Sequence, residues 1–457
     1  MTSLDQLQII SSSLEEIITR WRGQHIRRVV CEVPDLHGLS RSRMVPLDAL
    51  QEVIEQGLGM YGGMVVADSQ SAIIAGTHYN EEKRYANAFL VPDLSTATVL
   101  PWIPHTARLI CDLAWQDGTP LAAAPRQVLR QVVQRLETLG YSVRIALEYE
   151  FYLLDESLEH TVNADHHIFH TPRNVAVPVI ERLLDDLPQV GIEVLATNGE
   201  YGPGQFEITS RPQDPLRAAD QGFTLKQAVK MVAVQCGYSA TFMTRPFQEH
   251  SASGGHTHLS LYAHDGSDVF TDETGHTQGL SKIASHVIAG MLTHAPAVMA
   301  LTAPTPNCYH RVAPHLFAPI SSSWGIDDRT AMVRVKRNQQ GHIHLENRQP
   351  TAISNPYLAT AAVLAAALLG LQEARLAPAF QEEPAESRDA PALPTTLEQA
   401  LEALERDSAL KAIVGEELVH IFLTVKRSEL VRRDQTIQEH MRDVERAWER
   451  AEYLRTF

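Results

Sequence analysis

Apolar and polar positions along the chain change their period several times, and the changes mark the elements. Residues 1–21, MTSLDQLQIISSSLEEIITRW, space their apolar positions at helical intervals among acids. That predicts an amphipathic helix without the apolar stretch of a secretion signal. Residues 26–46 alternate as two strands around an Asp-Leu-His-Gly turn, and short strand-like pieces continue to VLPWIPHTARLICDLAW. A helix follows in AAAPRQVLRQVVQRLETLG, with Pro125 near its start and Gly140 just past its end. Strands and helices then alternate: VRIALEYEFYLL, a helix after Pro178, GQFEITSR, a helix over 215–237, THLSLYA, and a helix over 278–300. The Ala-rich apolar run Tyr357–Leu371 is shorter than a bilayer span and predicts a buried helix. Pro378, Pro384, Pro391 and Pro394 make the following stretch a loop. The charged helices after it are expected on solvated or intersubunit faces. A boundary near 115–120 sets a small β-rich unit, residues 1–117, apart from a larger α/β unit, residues 118–457.

Composition narrows the function. With 457 residues, 44% of them hydrophobic, the chain can build full cores, which excludes intrinsic disorder. A formal net charge of −16 disfavours phosphate backbones, so nucleic acid is not an expected partner. Four scattered cysteines without a CxxC pair exclude a disulfide framework and a zinc ribbon. The absence of Walker A and GxGxxG motifs removes P-loop and Rossmann nucleotide sites. A soluble cytoplasmic protein, away from membranes, is the expectation.

The chemistry lies in inverted alternation. Residues two apart on a strand share a face. Glu148 and Glu150 therefore project together, as do Gln205 and Glu207. His256, His258 and Ser260 form a third set, and His342, His344, Glu346 and Arg348 a fourth. One sheet could gather Glu148, Glu150, Glu207, His256 and Glu346 on a polar face, with Glu200 nearby in NGEYGPGQFEI. Any one such strand by itself reads better as the solvated face of an antiparallel sheet. Four of them, dominated by Glu and His, point to cations, since the carboxylates repel one another without neutralisation. Glutamate oxygens with one or two imidazoles suit Mg²⁺ or Mn²⁺ better than tetrahedral zinc. Arg311, Arg329, Arg334 and Arg348 form a basic set. Guanidinium groups beside divalent cations serve phosphoryl transfer, and they also grip carboxylates.

These residues, in this order and over essentially the whole chain, resemble the glutamine synthetase family. The resemblance implies an α+β fold: a small N-terminal β-grasp domain and a large catalytic domain with a curved antiparallel sheet flanked by helices. It implies two metal sites, one of Glu150, Glu200 and Glu207, the other of Glu148, His256 and Glu346. His258, Ser260, Arg334 and His344 fall at the nucleotide, Arg311 and Arg348 at the glutamate substrate, and Arg329 and Arg334 at phosphate. The catalytic set it implies is Arg311, Arg329 and Arg334. Family members use ATP to make γ-glutamyl phosphate, which a nitrogen nucleophile then opens. They form double-ring homo-oligomers with intersubunit sites, so a dodecamer is expected.

Departures from the family pattern bear on the nucleophile. Where the family carries a glutamate before Ala-Pro that serves the ammonium site, HRVAPHLFAP has Phe317. A phenyl ring can neither act as a base nor attract ammonium as a carboxylate does. Phe317 and Trp324 would make an apolar pocket, which favours an amine bearing a carbon substituent; the family's aspartate-containing ammonium-site segment is not recognisable, and MYGGMVVADSQSA stands in its place with Asp68 as a loose counterpart. Ser251, Ala252 and Ser253 replace Asn-Gly-Ser, which loosens the expectation of strict glutamate selection. His344 replaces an arginine at the nucleotide, and no adenylylation segment is found. The sequence thus favours an ATP-dependent glutamate–amine ligase, a γ-glutamylamine synthetase acting on a monoamine or polyamine. An ammonia-using glutamine synthetase, a non-catalytic relative and a guanidino-kinase-type relative are the alternatives.

Overall fold

The computed structural model describes residues 3–163, 168–171, 177–272, 278–440 and 444–457. The alternating segments up to residue 114 form a six-stranded sheet. Its strands are β1 (Arg28–Pro34), β2 (Ser40–Pro46), β3 (Leu58–Tyr61), β4 (Asn87–Pro92), β5 (Thr98–Val99) and β6 (Thr106–Ala114). Their order is β2-β1-β6-β4-β3, with β5 also on β6. The central pair β1–β6 is parallel and its neighbours antiparallel. Helices α1 (Ser3–Gly23) and α2 (Leu50–Gln56) accompany it, and α1 buries Leu14, Ile18 and Trp21 as its apolar stripe predicts.

The second sheet has eight strands: β7 (Tyr141–Leu154), β8 (Val194–Gly199), β9 (Gln205–Ser210), β10 (Ser239–Thr241), β11 (Gly255–Ala263), β12 (Trp324–Ile326), β13 (Val333–Arg337) and β14 (Ile343–Asn347). Their order is β12-β13-β14-β11-β7-β9-β8, with β10 extending β7, and all pairs but β12–β13 are antiparallel. Large curved sheets with flanking helices give the mixed α+β class that the sequence implied. The apolar face of β7 (Ile145, Leu147, Tyr149, Phe151) is buried, leaving the face of Glu148 and Glu150 for the cleft.

Behind the sheets lie α3 (Pro125–Thr138), α4 (Pro178–Asp186), α5 (Pro215–Gln235), α6 (Lys282–Thr302) and α7 (Pro356–Glu373). Helices α6 and α7 are long and apolar enough to cross a membrane, but 72% and 83% of their apolar windows are buried inside the protein. They are core helices, as the Tyr357–Leu371 run predicted. They cross at two glycines. A Cβ on Gly290 would collide with the Ala366 carbonyl and lie 2.6 Å from Gly370 Cα.

The C-terminal helices α8 (Leu397–Arg406), α9 (Ser408–Val414), α10 (Glu416–His440) and α11 (Val444–Glu449) correct one expectation. Helix α10 is not merely a solvated face: it buries Leu418, Ile421, Phe422 and Val425, and also Lys426 and Glu429. Lys426 Nζ donates to Glu429 at 2.9 Å and to His37 Nδ1 at 3.1 Å, while Arg432 reaches Asp68 at 3.0 Å and Glu452 at 2.8 Å. Burial, with Lys426 adding to it, pulls the His37 imidazole down to about 3, so the ring is neutral and accepts a hydrogen bond from the lysine. These charges are buried because their partners come from the loops after β1 and β3, a pairing that local composition cannot reveal. A second buried junction is Arg126 on α3, which is bonded to Asp93, Asp112 and Asp220 at 2.7–2.9 Å.

Because the α6–α7 crossing brings backbone against backbone, it has no flexible side chain to yield. Gly290→Ala is expected to destabilise the protein by about 2–4 kcal/mol, read as a lowered denaturant midpoint, whereas Gly118→Ala, with open space around it, will cost about 1 kcal/mol from its positive φ alone.

Candidate active site

Strand register converts the alternating faces into one site. Glu148 on β7 lies opposite His256 on β11, and Glu150 opposite Glu207 on β9. Across the other flank His258 lies opposite Glu346 on β14, which in turn faces Arg334 on β13. With Glu200 from the turn between β8 and β9, all six acid and imidazole ligand candidates line one cleft of about 860 Å³. His258, Ser260, His344, Arg311, Phe317, Arg329, Arg334 and Arg348 line it too.

His256 is buried and its Nδ1 hydrogen-bonds Glu148 at 2.6 Å, while its Nε2 meets the Arg311 guanidinium at 3.2 Å. Those contacts fix one tautomer: Nδ1–H donates to the carboxylate and Nε2 accepts from the arginine. Burial, reinforced by Arg348, draws this imidazole down to about 4, so it is neutral at physiological pH, the form that ligates metals. His258 Nε2 contacts the other Glu148 oxygen at 3.2 Å. Two groups of ligand atoms lie within 4.8 Å of one another: Glu148, Glu150 and His256, and Glu148, His258 and Glu346. This differs from the partition the resemblance implied. Glu148 belongs to both groups because each of its oxygens meets a different histidine, and His258 stands with the carboxylates as well as at the cleft wall. Glu200 and Glu207 line the same cleft outside these two groups.

The carboxylates respond unequally to shared burial. Glu150 is pushed up to about 8 by burial and by Glu200, although it accepts from the Gly254 amide at 3.0 Å and from Gln205 at 3.1 Å. Glu207 rises to about 10 through burial and the charges of Glu148, Glu150 and Glu200, and Glu200 is also raised, chiefly by burial. Burial would raise Glu346 as well, but Arg348, His258 and His256 outweigh it and hold it at about 2. Glu148 likewise lies well below its usual range despite burial, because His256 and His258 donate to it. On one flank Arg348 and the two histidines hold the carboxylates low, while on the other burial and neighbouring carboxylates raise Glu150, Glu200 and Glu207. Oxygen donors with the neutral His256 imidazole fit a hard divalent ion, so the donor set suits the expected metals.

The arginines are already engaged. Arg334 donates to Glu346 at 3.1 Å and to Asp327 at 2.9 Å. Arg348 contacts Glu346 and donates to the carbonyls of Arg329 and Phe317, both at 3.1 Å. Arg311 is buried, which lowers its guanidinium to about 10, and it points donors at the Gln349 and Pro350 carbonyls. Ser251 and Ala252 line the cleft, and Ser253 is buried beside Gln205.

One expectation is corrected. Trp324 does not line the cleft: its ring packs on Phe380 and its indole N–H donates to the Pro378 carbonyl at 3.0 Å, which buries it in the proline-rich loop. Asp68, in the N-terminal segment, is buried, its carboxylate accepting from the Gln70 and Ala72 amides and meeting Arg432. Phe317, by contrast, is no core residue. It is 48% exposed, has a left-handed φ of 52°, and stacks on Tyr201 with centroids 5.6 Å apart. Sequence reasoning passed over Tyr201, Leu316 and Phe169, which line the same cleft. The one signal for Tyr201 was an aromatic residue inside the Gly- and Pro-rich NGEYGPGQFEI, directly after a ligand candidate.

Comparison with known proteins identifies the family. Residues 122–448 match the glutamine synthetase catalytic domain. The chain is 32% identical to the γ-glutamylethanolamide synthetase GlnA4 of Streptomyces coelicolor, covering 91% of this chain and 92% of that protein. It is 35% identical to a glutamine synthetase of Halobacterium salinarum, covering 80% and 83%. It superposes on ligand-free GmaS with a TM-score of 0.82 at 27% identity, covering 95% and 98% of the two chains. Proteins of this family are ligases that use ATP and divalent metal ions. The chain therefore belongs to the glutamine synthetase family.

Proposed function

We propose that this chain is a glutamate–amine ligase, joining the γ-carboxylate of glutamate to a primary amine at the expense of ATP. The observation that carries the reading is Phe317: an aromatic ring exposed inside the cleft beside Arg348, where the family resemblance places an acidic group. An ammonium ion gains little from such a wall, whereas a carbon substituent gains burial. A relative that makes a γ-glutamylamide is compatible with the reading. The glutamine synthetase at similar identity keeps ammonia as the second reading.

In the proposed reaction the γ-phosphoryl group of ATP passes to the glutamate γ-carboxylate, with release of ADP. The amine nitrogen then attacks the acyl carbon, and phosphate leaves as the amide bond forms. Glu148, Glu150, Glu200, Glu207, His256 and Glu346 would hold Mg²⁺ or Mn²⁺, which supplies Lewis-acid stabilisation of phosphoryl oxygens. Arg334, and Arg329 at the rim, spread charge over the transferring group. Arg311 and Arg348 orient the amino acid by its carboxylate. Ser260 and His344 line the nucleotide end of the cleft, where burial holds the His344 imidazole at about 4 and hence uncharged beside a polyphosphate. The proton released by the amine must pass to water or to a cluster carboxylate, since Phe317 offers no base. The reading includes a cytoplasmic homo-oligomer of double-ring type, a small N-terminal domain over residues 1–117 and a catalytic domain over residues 118–457.

Phosphate release with glutamate and Mg²⁺-ATP, measured against ammonium, methylamine, ethylamine, isopropylamine, ethanolamine, putrescine and spermidine, tests the reading. Turnover with an alkylamine or polyamine exceeding that with ammonium is expected; ammonium as the best nucleophile would replace it by glutamine synthesis. Phe317→Glu is expected to shift the ammonium-to-alkylamine ratio of kcat/KM by about tenfold or more toward ammonium.

The cluster also makes a pH prediction. Glu150 and Glu207 have folded values above the unfolded carboxylate, at about 8 and about 10, so their contribution to stability is full at acid pH and is lost as pH rises through those values. Chelator-treated protein should melt at a lower temperature at about pH 9 than at about pH 6, and Mn²⁺ should recover most of the difference while displacing protons. A pH-independent gap between the chelated and Mn²⁺-loaded melting curves would count against these carboxylates as ligands.

A further inference from the structure

We propose that Tyr201 forms the second half of the nucleophile wall, and that the amine's substituent packs on the stacked Tyr201–Phe317 pair rather than on Phe317 alone. The inference rests on the amine-ligase reading and deepens it by naming the substrate class: a primary amine whose carbon substituent is apolar near the nitrogen.

The two rings come from different parts of the chain. Tyr201 follows Glu200 in the turn between β8 and β9, and Phe317 lies beyond the short helix Pro306–Arg311. Their ring planes differ by only 18° at a centroid separation of 5.6 Å, an offset stack. The arrangement has backbone support, because Arg348 donates to the Phe317 carbonyl while that residue holds its left-handed φ. Yet neither ring is buried by the contact: 46% of Tyr201 and 48% of Phe317 remain exposed, and both face the cleft. Leu316 and the 65%-exposed Phe169 continue the apolar surface. An apolar surface left open inside a cleft is a surface for a ligand.

The position relative to charge says which ligand. The stack begins one residue from Glu200, which lines the same cleft. An amine nitrogen held at that polar edge places its carbon substituent along the rings. Ammonium has no substituent to place there. Tyr201 is thus a specificity residue that acts on the amine and not on ATP or glutamate, whose arginine contacts lie at Arg311, Arg334 and Arg348.

The test is a chain-length series, methylamine to butylamine, in the wild-type protein and in Tyr201→Phe and Tyr201→Ala. In the wild type, kcat/KM should rise by about twofold to fourfold per methylene while the substituent still covers ring surface. Tyr201→Phe should keep that slope and Tyr201→Ala should flatten it, with KM for ATP and glutamate changed by less than about twofold. An unchanged slope in Tyr201→Ala overturns the proposal while leaving the amine ligase intact. Equal loss in Tyr201→Phe and Tyr201→Ala also overturns it, because the hydroxyl would then be the recognising group. A wild type that turns over ammonium alone overturns the amine reading itself, and this inference with it. Because Tyr201 is half exposed on a turn, both variants should fold, and matching melting curves would verify that.

Discussion

Like charges held together inside a fold are the constraint on which this structure turns. Five glutamates converge on one cleft, and burial makes each carboxylate costlier to ionise. The protein resolves half of the problem internally: Arg348, Arg334, His256 and His258 surround Glu346 and Glu148, which stay ionised. The other half, Glu150, Glu200 and Glu207, has too little positive charge nearby and rises instead. That asymmetry sets the cluster apart from an ion-pair network in which every acid has its own base.

Keeping such a cluster in place requires a rigid support, and the support is apolar. Each strand that offers a charged face to the cleft buries its other face, so the β7 aromatics and aliphatics are packed as firmly as its glutamates are displayed. Helices α6 and α7 meet at Gly290 and Gly370 with no side chain between them, which leaves little freedom for the layer beneath the sheet. Further out, buried ion pairs join apolar contacts where the N-terminal segments meet the rest. His37, Ser69 and Asp68 engage Lys426, Glu429, Arg432 and Glu452, with Lys426 and Arg432 each bridging two partners. Such contacts add less stability than their Coulomb attraction suggests, because desolvation opposes it, but losing one partner is costly.

The mouth of the cleft obeys a different logic from its floor. The floor is polar and fixed by register, whereas the mouth is built by loops and carries half-exposed rings. Arg348 belongs to both, touching Glu346 on one side and the Phe317 carbonyl on the other. Arg348 thereby ties the carboxylate floor to the loop that carries Phe317.

The sequence by itself determined the parts that periodicity governs. Alternation on β7, β9, β11 and β14 already put Glu148, Glu150, Glu207, His256 and Glu346 on polar faces, because a strand leaves its residues no other choice. The Ala-rich run at Tyr357–Leu371 announced a core helix, and the order of the motifs announced the family. Tertiary structure decided what depends on register and on contacts between distant segments. Glu148 serves two histidines only because β11 pairs with β7 at that offset, and Trp324 leaves the site only because the proline-rich loop folds over it. Lys426 and Glu429 look solvated in sequence and are buried by partners more than three hundred residues away. Phe317 showed in sequence that a carboxylate was missing, but not that the ring is exposed and stacked on Tyr201. Local pattern fixes which face a side chain takes, whereas what stands opposite that face is set by long-range packing, which no local window contains.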